Sequence, residues 1–243
     1  MNNGFVYVAS LNSIFIKAAR YSAQSLKDYW PEAHITLFTH EEWVTEYDKN
    51  LFDNIITKDV PYHVRAKLWA LDKTPYDLTC YMDCDTQVEH EDIQYIFNQH
   101  DSTSNISLSK ARDYAASIDP QFPAGKLTDH CGLFIYDNKP ETLTFMKQWW
   151  EHYTVQVSQP WPHNTKEYPN YLKPWDMFTF WWLQNKTEYA IKRSYWPEPD
   201  AKWNFIMVYK EEELMGHEIV VSHRPVPRRG IKKIISDEKA YDQ

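Results

Sequence analysis

Asp83 and Asp85, separated by Cys84, are the residues of this chain whose type and spacing point most directly to chemistry. In an extended backbone, residues two apart project from the same face. The two carboxylates therefore aim together, while Cys84 turns the other way with Met82 and Cys80. Like charges at one strand end repel each other unless a cation or a proton intervenes. Hard divalent ions prefer oxygen ligands, and a diphosphate completes their shell. The competing reading is a strand end whose acids are merely solvated. The apolar run Leu78 to Met82 in front of the pair favours metal binding.

The elements that must position this pair alternate in the first half of the chain. Gly4 to Ser10, His34 to Thr39, Asn54 to Thr57 and Leu78 to Met82 read as strands. Ser13 to Tyr29 places Ile14, Ala18, Tyr21, Ser25 and Tyr29 at near-helical intervals and is stopped by Pro31. Glu41 to Lys49 and His63 to Asp72 read as shorter helices. Further on, Ser104 to Ser109 and His130 to Tyr136 are strand-like, and Pro140 to Tyr153 is helical. Such a rhythm predicts a mostly parallel mixed sheet flanked by helices, in a single α/β domain. Ligands of such sheets collect at the carboxyl ends of the strands, where Asp83 and Asp85 fall.

Composition narrows the classes. The 243 residues suffice for one sizeable domain, and a net charge of -8 argues against non-specific nucleic-acid affinity. Aromatics make up 16% of the chain, enough to furnish a carbohydrate or nucleobase face or simply a ring-rich core. Three cysteines in no metal-binding spacing and no membrane-length apolar run suggest a reduced, cytoplasmic protein without a membrane span. The segment Gln159 to Pro174, rich in proline and aromatics, reads as a loop over the site.

With these pieces in order, the chain resembles the GT-A glycosyltransferases, closest to the glycogenin- and galactosyltransferase-like retaining families. The stretch Val64 to Val88 (VRAKLWALDKTPYDLTCYMDCDTQV) carries most of the likeness. Val8-Ala9-Ser10 resembles the nucleotide-binding end of the first strand, and His130-Cys131-Gly132 the start of the small-residue strand that lines the donor sugar. Pro174-Trp175-Asp176 resembles the acceptor-side motif, and Trp203-Asn204 with His223 the late Trp-Asn pair and metal-binding histidine. Three positions depart from the pattern: His130 replaces a common Asn, Met177 a common Gln, and Arg224 onward a glycine-lysine run.

The resemblance implies a Rossmann-like GT-A fold with residues 1–110 as the nucleotide-sugar half and 111–243 as the acceptor half. It implies a metal-dependent hexosyltransferase that uses a UDP-sugar or another nucleoside-diphosphate sugar, with retention. Donor contacts would come from Val8, Ala9, Ser10, Arg65, Lys67, Asp83, Cys131 and Gly132. Asp83, Asp85 and His223 would hold Mn²⁺ or Mg²⁺, the imidazole favouring Mn²⁺; His223 also reads as an ordinary surface or core histidine. Asp176 would orient or deprotonate the acceptor or support the sugar cation, or else only stabilise a helix start. Asp129 would touch sugar hydroxyls. Arg228 and Arg229 lie in a basic run from Arg224 to Lys233 and would grip the departing diphosphate. That run also reads as a solvated tail, or as a contact to a polyanion such as a hydroxymethylated base in DNA.

Rival readings fare less well. A nucleotidyltransferase or P-loop enzyme needs a glycine-rich phosphate loop, and this chain has 5 glycines in all, with only Gly4 near the first strand. An aspartate-nucleophile phosphatase needs Thr or Val where Gln87 stands. A non-catalytic carbohydrate-binding protein leaves the paired aspartates without a purpose.

Overall fold

The computed structural model describes residues 2–111, 129–158, 174–206 and 209–223. The first half builds β1 (Asn3–Val8), α1 (Ile14–Tyr29), β2 (Ile35–Phe38), α2 (Glu46–Leu51), β3 (Asn54–Ile56), α3 (Ala66–Ala70), β4 (Leu78–Met82) and β5 (Thr86–Val88). The second contributes β6 (Ile106–Lys110), β7 (Asp129–Asp137), α4 (Pro140–Val157), α5 (Asp176–Lys186), β8 (Arg193–Tyr195), β9 (Phe205–Ile206) and β10 (Val221–His223).

Seven strands form one sheet in the order β3-β2-β1-β4-β7-β6-β8. β1 pairs in parallel with β2 and β4, and β2 with β3. β7 runs antiparallel between β4 and β6, and β8 returns parallel to β6. The sheet is mixed and mostly parallel, and its order reverses at β1: β2 continues to one side and β4 to the other. Chains leaving β1 and β4 diverge there, opening a crevice at their carboxyl ends. A small second sheet, β5-β10-β9, stands beside that crevice.

β4 is buried along its whole length, which explains its unbroken apolar run. Its side chains alternate between two cores. Cys80, Met82 and Cys84 pack with α1 residues such as Ile16 and Leu26. Tyr81 packs on the other face with Phe134, Trp149 and Phe180.

Local chemistry moved several element boundaries. The helix expected over 41–49 is a 3-10 turn, Glu41–Trp43, followed by α2, because the Thr45 N–H donates to the Asp48 carboxylate at 2.7 Å and starts a new helix there. The helix expected over 63–72 is α3 followed by a 3-10 turn, Leu71–Lys73, ahead of Pro75. β5, β8, β9 and the 3-10 stretch Glu91–Gln99 were not foreseen. The loop expected over 159–174 lies almost wholly outside the described residues.

Gly4 in β1 allows Tyr76 to lie across the sheet, where its hydroxyl hydrogen-bonds Thr36 Oγ1 at 2.9 Å. A Cβ on residue 4 would stand 2.2 Å from the Tyr76 ring. Gly4→Ala is therefore expected to cost about 1–3 kcal/mol through overpacking. Urea unfolding should show a lower midpoint at unchanged slope, and an unchanged midpoint would contradict this packing.

Candidate active site

The carboxyl end of β4 is fixed before it reaches its acids. The Asp83 N–H donates to the Gly132 carbonyl at 2.8 Å, and Thr86 Oγ1 donates back to the Asp83 carbonyl at 2.9 Å. The turn between them throws both carboxylates to one side. β10 then pairs antiparallel with β5 so that His223 faces Thr86, the residue after Asp85. His223 Nε2 comes 3.1 Å from Asp85 Oδ1 and 3.7 Å from Asp83 Oδ2. Ligand atoms of Asp83, Asp85 and His223 all lie within 4.8 Å of one another.

This donor set fits one divalent ion. Two carboxylate oxygens and an imidazole nitrogen converge, with room made by Gly132. A Cβ there would come 2.3 Å from His223 Cε1 and 3.0 Å from Asp83 Oδ2. Burial of His223 opposes its protonation, but the Asp85 and Asp83 carboxylates outweigh it and raise its pKa. An oxygen-rich set with one nitrogen suits Mn²⁺ better than Mg²⁺.

Behind the acids stands Lys67, 7% exposed. Its ammonium lies 3.1 Å from Asp83 Oδ1, 2.9 Å from Asp176 Oδ2 and 2.8 Å from the Cys131 carbonyl. Three donors thus meet three acceptors, the full capacity of the group. Burial opposes its charge, yet Asp176 and Asp83 raise its pKa. Arg65 Nε lies 3.6 Å from the other Asp176 oxygen. Burial likewise opposes ionisation of Asp176, and Arg65 and then Lys67 overcome it, holding its pKa down to about 2. Asp176 opens α5 at its N-terminus, a further favourable position for a carboxylate.

Beside Arg65, Lys67, Asp83 and Asp85 lies a cavity of about 270 Å³, lined also by Val8, Ser10 and Phe15. Ser10 also hydrogen-bonds His40 Nε2 at 2.8 Å. Ala9 does not line it: the residue is fully buried, and its side chain packs in the core with Ile16. Cys131 turns its thiol into the opposite core and reaches the cluster through its carbonyl.

Asp129 is not brought to the cavity. Its oxygens are held by Arg193 Nη1 at 2.7 Å and the Tyr195 hydroxyl at 2.9 Å, a tie from β7 to β8. Burial raises its pKa against those two partners. Arg228 and Arg229 lie outside the described residues.

Two neighbours of the cluster were not among the expected donor or metal contacts. Tyr81 hydrogen-bonds Asp83 Oδ1 through its hydroxyl, and the strand's period of two already placed them on one face. His130 is held neutral by burial and by the nearby His223 and Lys67 charges, its pKa lowered to about 3. Asn204 Nδ2 donates to its Nδ1 at 2.7 Å, leaving Nε2 to carry the proton.

No protein-family model matches this sequence, and no curated protein matches it. Solved structures do. The glycosyltransferase GlyE of Streptococcus pneumoniae TIGR4 superposes with a TM-score of 0.60 at 14% identity over 91% of this chain, which spans only 54% of the GlyE chain. The galactosyltransferase LgtC, solved with donor and acceptor sugar analogues, gives 0.51 at 13% identity, covering 96% of this chain and 95% of its own. A glycosyltransferase involved in glycosylation of the major capsid of PBCV-1 gives 0.52 at 12%, covering 97% and 100%. At such identities the likeness is one of architecture. The chain has the GT-A glycosyltransferase fold, and Asp83 and Asp85 form with His223 a possible metal site. Among the described residues, no helix is long and apolar enough to cross a membrane.

The depressed Asp176 pKa sets a pH dependence. Relative to its ordinary value of 3.8, the ionised folded form contributes on the order of 2 kcal/mol above that pH, lost as pH falls through about 2. The stability gap between wild type and Asp176→Asn should therefore narrow by on the order of 2 kcal/mol between pH 5 and pH 2. Denaturant unfolding at both pH values measures it, and a constant gap would mean the carboxyl is not held ionised.

Proposed function

We propose that this chain is a metal-dependent glycosyltransferase that moves a hexose from a nucleoside-diphosphate sugar, UDP-sugars first among them, to an acceptor hydroxyl with retention. The observation that carries the reading is the convergence of Asp83, Asp85 and His223 on one point, with Lys67 joining that point to Asp176.

Asp83, Asp85 and His223 would hold the cation. When bound, Mn²⁺ would neutralise the two phosphates and the charge they gain as the glycosidic bond breaks. Val8 and Ser10 at the end of β1 would border the nucleoside, and Arg65 would face the phosphates from the same wall. Lys67 fixes Asp83 with one oxygen already bridged, so that the acid cannot swing away when the cavity is empty.

As the sugar C1–O bond to phosphate breaks and the acceptor oxygen bonds to C1, the acceptor proton passes to the departing phosphate oxygen. Asp176, with a pKa of about 2 and an ion partner on each oxygen, is a poor base and a poor covalent nucleophile. Its fixed negative charge instead suits stabilisation of the developing sugar cation. That arrangement supports exchange on one face of the sugar, and hence retention. Gly132, by leaving room for the His223 ring beside Asp83, would let the imidazole reach the cation. Arg228 and Arg229 belong to this reading as counter-charges for the released diphosphate.

The test is release of nucleoside diphosphate from a panel of sugar nucleotides with Mn²⁺ and simple acceptors. One donor should turn over, Asp85→Asn should lower the rate at least about a hundredfold, and the product should keep the donor's anomeric configuration by NMR. Inverted product would overturn retention. No turnover and no diphosphate release with any sugar nucleotide would overturn the enzyme reading.

A further inference from the structure

The protein treats the two oxygens of Asp83 differently. Oδ1 accepts from the Tyr81 hydroxyl and from the Lys67 ammonium at 3.1 Å. A carboxylate oxygen offers two lone pairs, so Oδ1 is filled. Oδ2 has no such pair of close donors: Lys67 Nζ stands 3.5 Å from it and His223 Nε2 3.7 Å. Space lies beside it as well, since a Cβ on residue 132 would come 3.0 Å from Oδ2. The oxygen left open is the one nearer His223.

An aspartate does not keep its oxygens apart by itself. Its terminal torsion is broad and two-fold, so the oxygens exchange by rotation about the Cβ–Cγ bond. Lys67 alone would tolerate that exchange, because it lies within reach of both oxygens. Tyr81 opposes it. Its ring is 1% exposed, packs on Phe134 with centroids 5.2 Å apart, and has the Lys67 ammonium 5.3 Å from its centroid. Such a ring cannot follow a turning carboxylate. The two residues also stand two apart at the end of one buried strand, which sends both side chains to the same face.

A buried tyrosine hydroxyl needs a partner wherever it lies, and a backbone carbonyl would suffice. Tyr136 on the neighbouring strand β7 shows that plain solution: it is fully buried and donates to the Leu71 carbonyl at 2.8 Å. Tyr81 directs its proton instead to an acid that reaches the cleft cavity, which Tyr81 itself lines. We propose that Tyr81 is a positioning residue of the metal site, which with Lys67 reserves Asp83 Oδ1 and turns Oδ2 alone toward the cation. The inference rests on the reading of Asp83, Asp85 and His223 as metal ligands, and adds to it which oxygen of Asp83 binds. Hydrogen-bonded partners of metal-ligating groups orient them, and their loss weakens metal binding about 10- to 100-fold.

The test is a Mn²⁺ titration of the full chain, followed by the paramagnetic resonance of the free ion, with wild type, Tyr81→Phe and Tyr136→Phe. Tyr81→Phe should bind Mn²⁺ at least about tenfold more weakly than wild type. Tyr136→Phe removes a buried hydroxyl from the same core without touching an acid, and should bind as wild type does. Thermal melts in EDTA establish that each variant is folded. A purely structural Tyr81 would lower the melting temperature and leave Mn²⁺ affinity unchanged, which would overturn the proposal. Equal weakening by the two variants would also overturn it. Wild type that binds no Mn²⁺ would remove the metal reading itself, and this inference with it. A second measurement needs no variant: in tyrosine-labelled protein, NMR should find the Tyr81 hydroxyl proton still protected from exchange when Mg²⁺ is bound. Loss of that protection on binding would mean that the cation takes Oδ1, against the proposal.

Discussion

The site depends on one buried ammonium. Lys67 enters from α3 and ties together three pieces of chain that the sequence keeps far apart: the acid after β4, the carbonyl of Cys131 in β7 and the acid that opens α5. Burying a lone charge costs several kcal/mol, and burying a satisfied one costs far less. Asp83 and Asp176 could not sit so close without the cation between them, and the cation could not be buried without them. The network therefore fixes the distance between the paired aspartates after β4 and the acid proposed to face the sugar. It also fixes charge states: Asp176 and Asp83 keep Lys67 charged, and Arg65 and Lys67 keep Asp176 ionised.

Glycine and alternation complete the geometry. The period of two along β4 sends Cys80, Met82 and Cys84 into one core and puts Tyr81 with Asp83 on the other side. The His223 ring then fits against the pair because residue 132 lacks a Cβ. A larger residue there would separate imidazole from carboxylates even with every strand unchanged. Fold and site are thus coupled through contacts that look like packing.

Much of this was legible in the sequence where a physical signal was strong. β4 announced itself by an unbroken apolar run, and α1 by its helical period and Pro31. β8 and β9, with three and two residues, are too short to display alternation. The helix misread over 41–49 turned on one hydrogen bond between Thr45 and Asp48. Asp129 looked available because a sequence shows an acid but not the Arg193 and Tyr195 that occupy it from another strand. Lys67 was read as a contact to the nucleotide-sugar donor. Its burial between two acids arises only when α3, β4 and α5 are packed together, which no local pattern encodes.

The central claim is that Asp83, Asp85 and His223 hold a single metal ion, and electron spin-echo spectroscopy of Mn²⁺ bound to the protein tests it most directly. The account predicts nitrogen modulation from one directly coordinated imidazole in the wild type, and its disappearance in His223→Gln with weakened Mn²⁺ binding. Tight Mn²⁺ binding with no coordinated nitrogen, unchanged in His223→Gln, would contradict it.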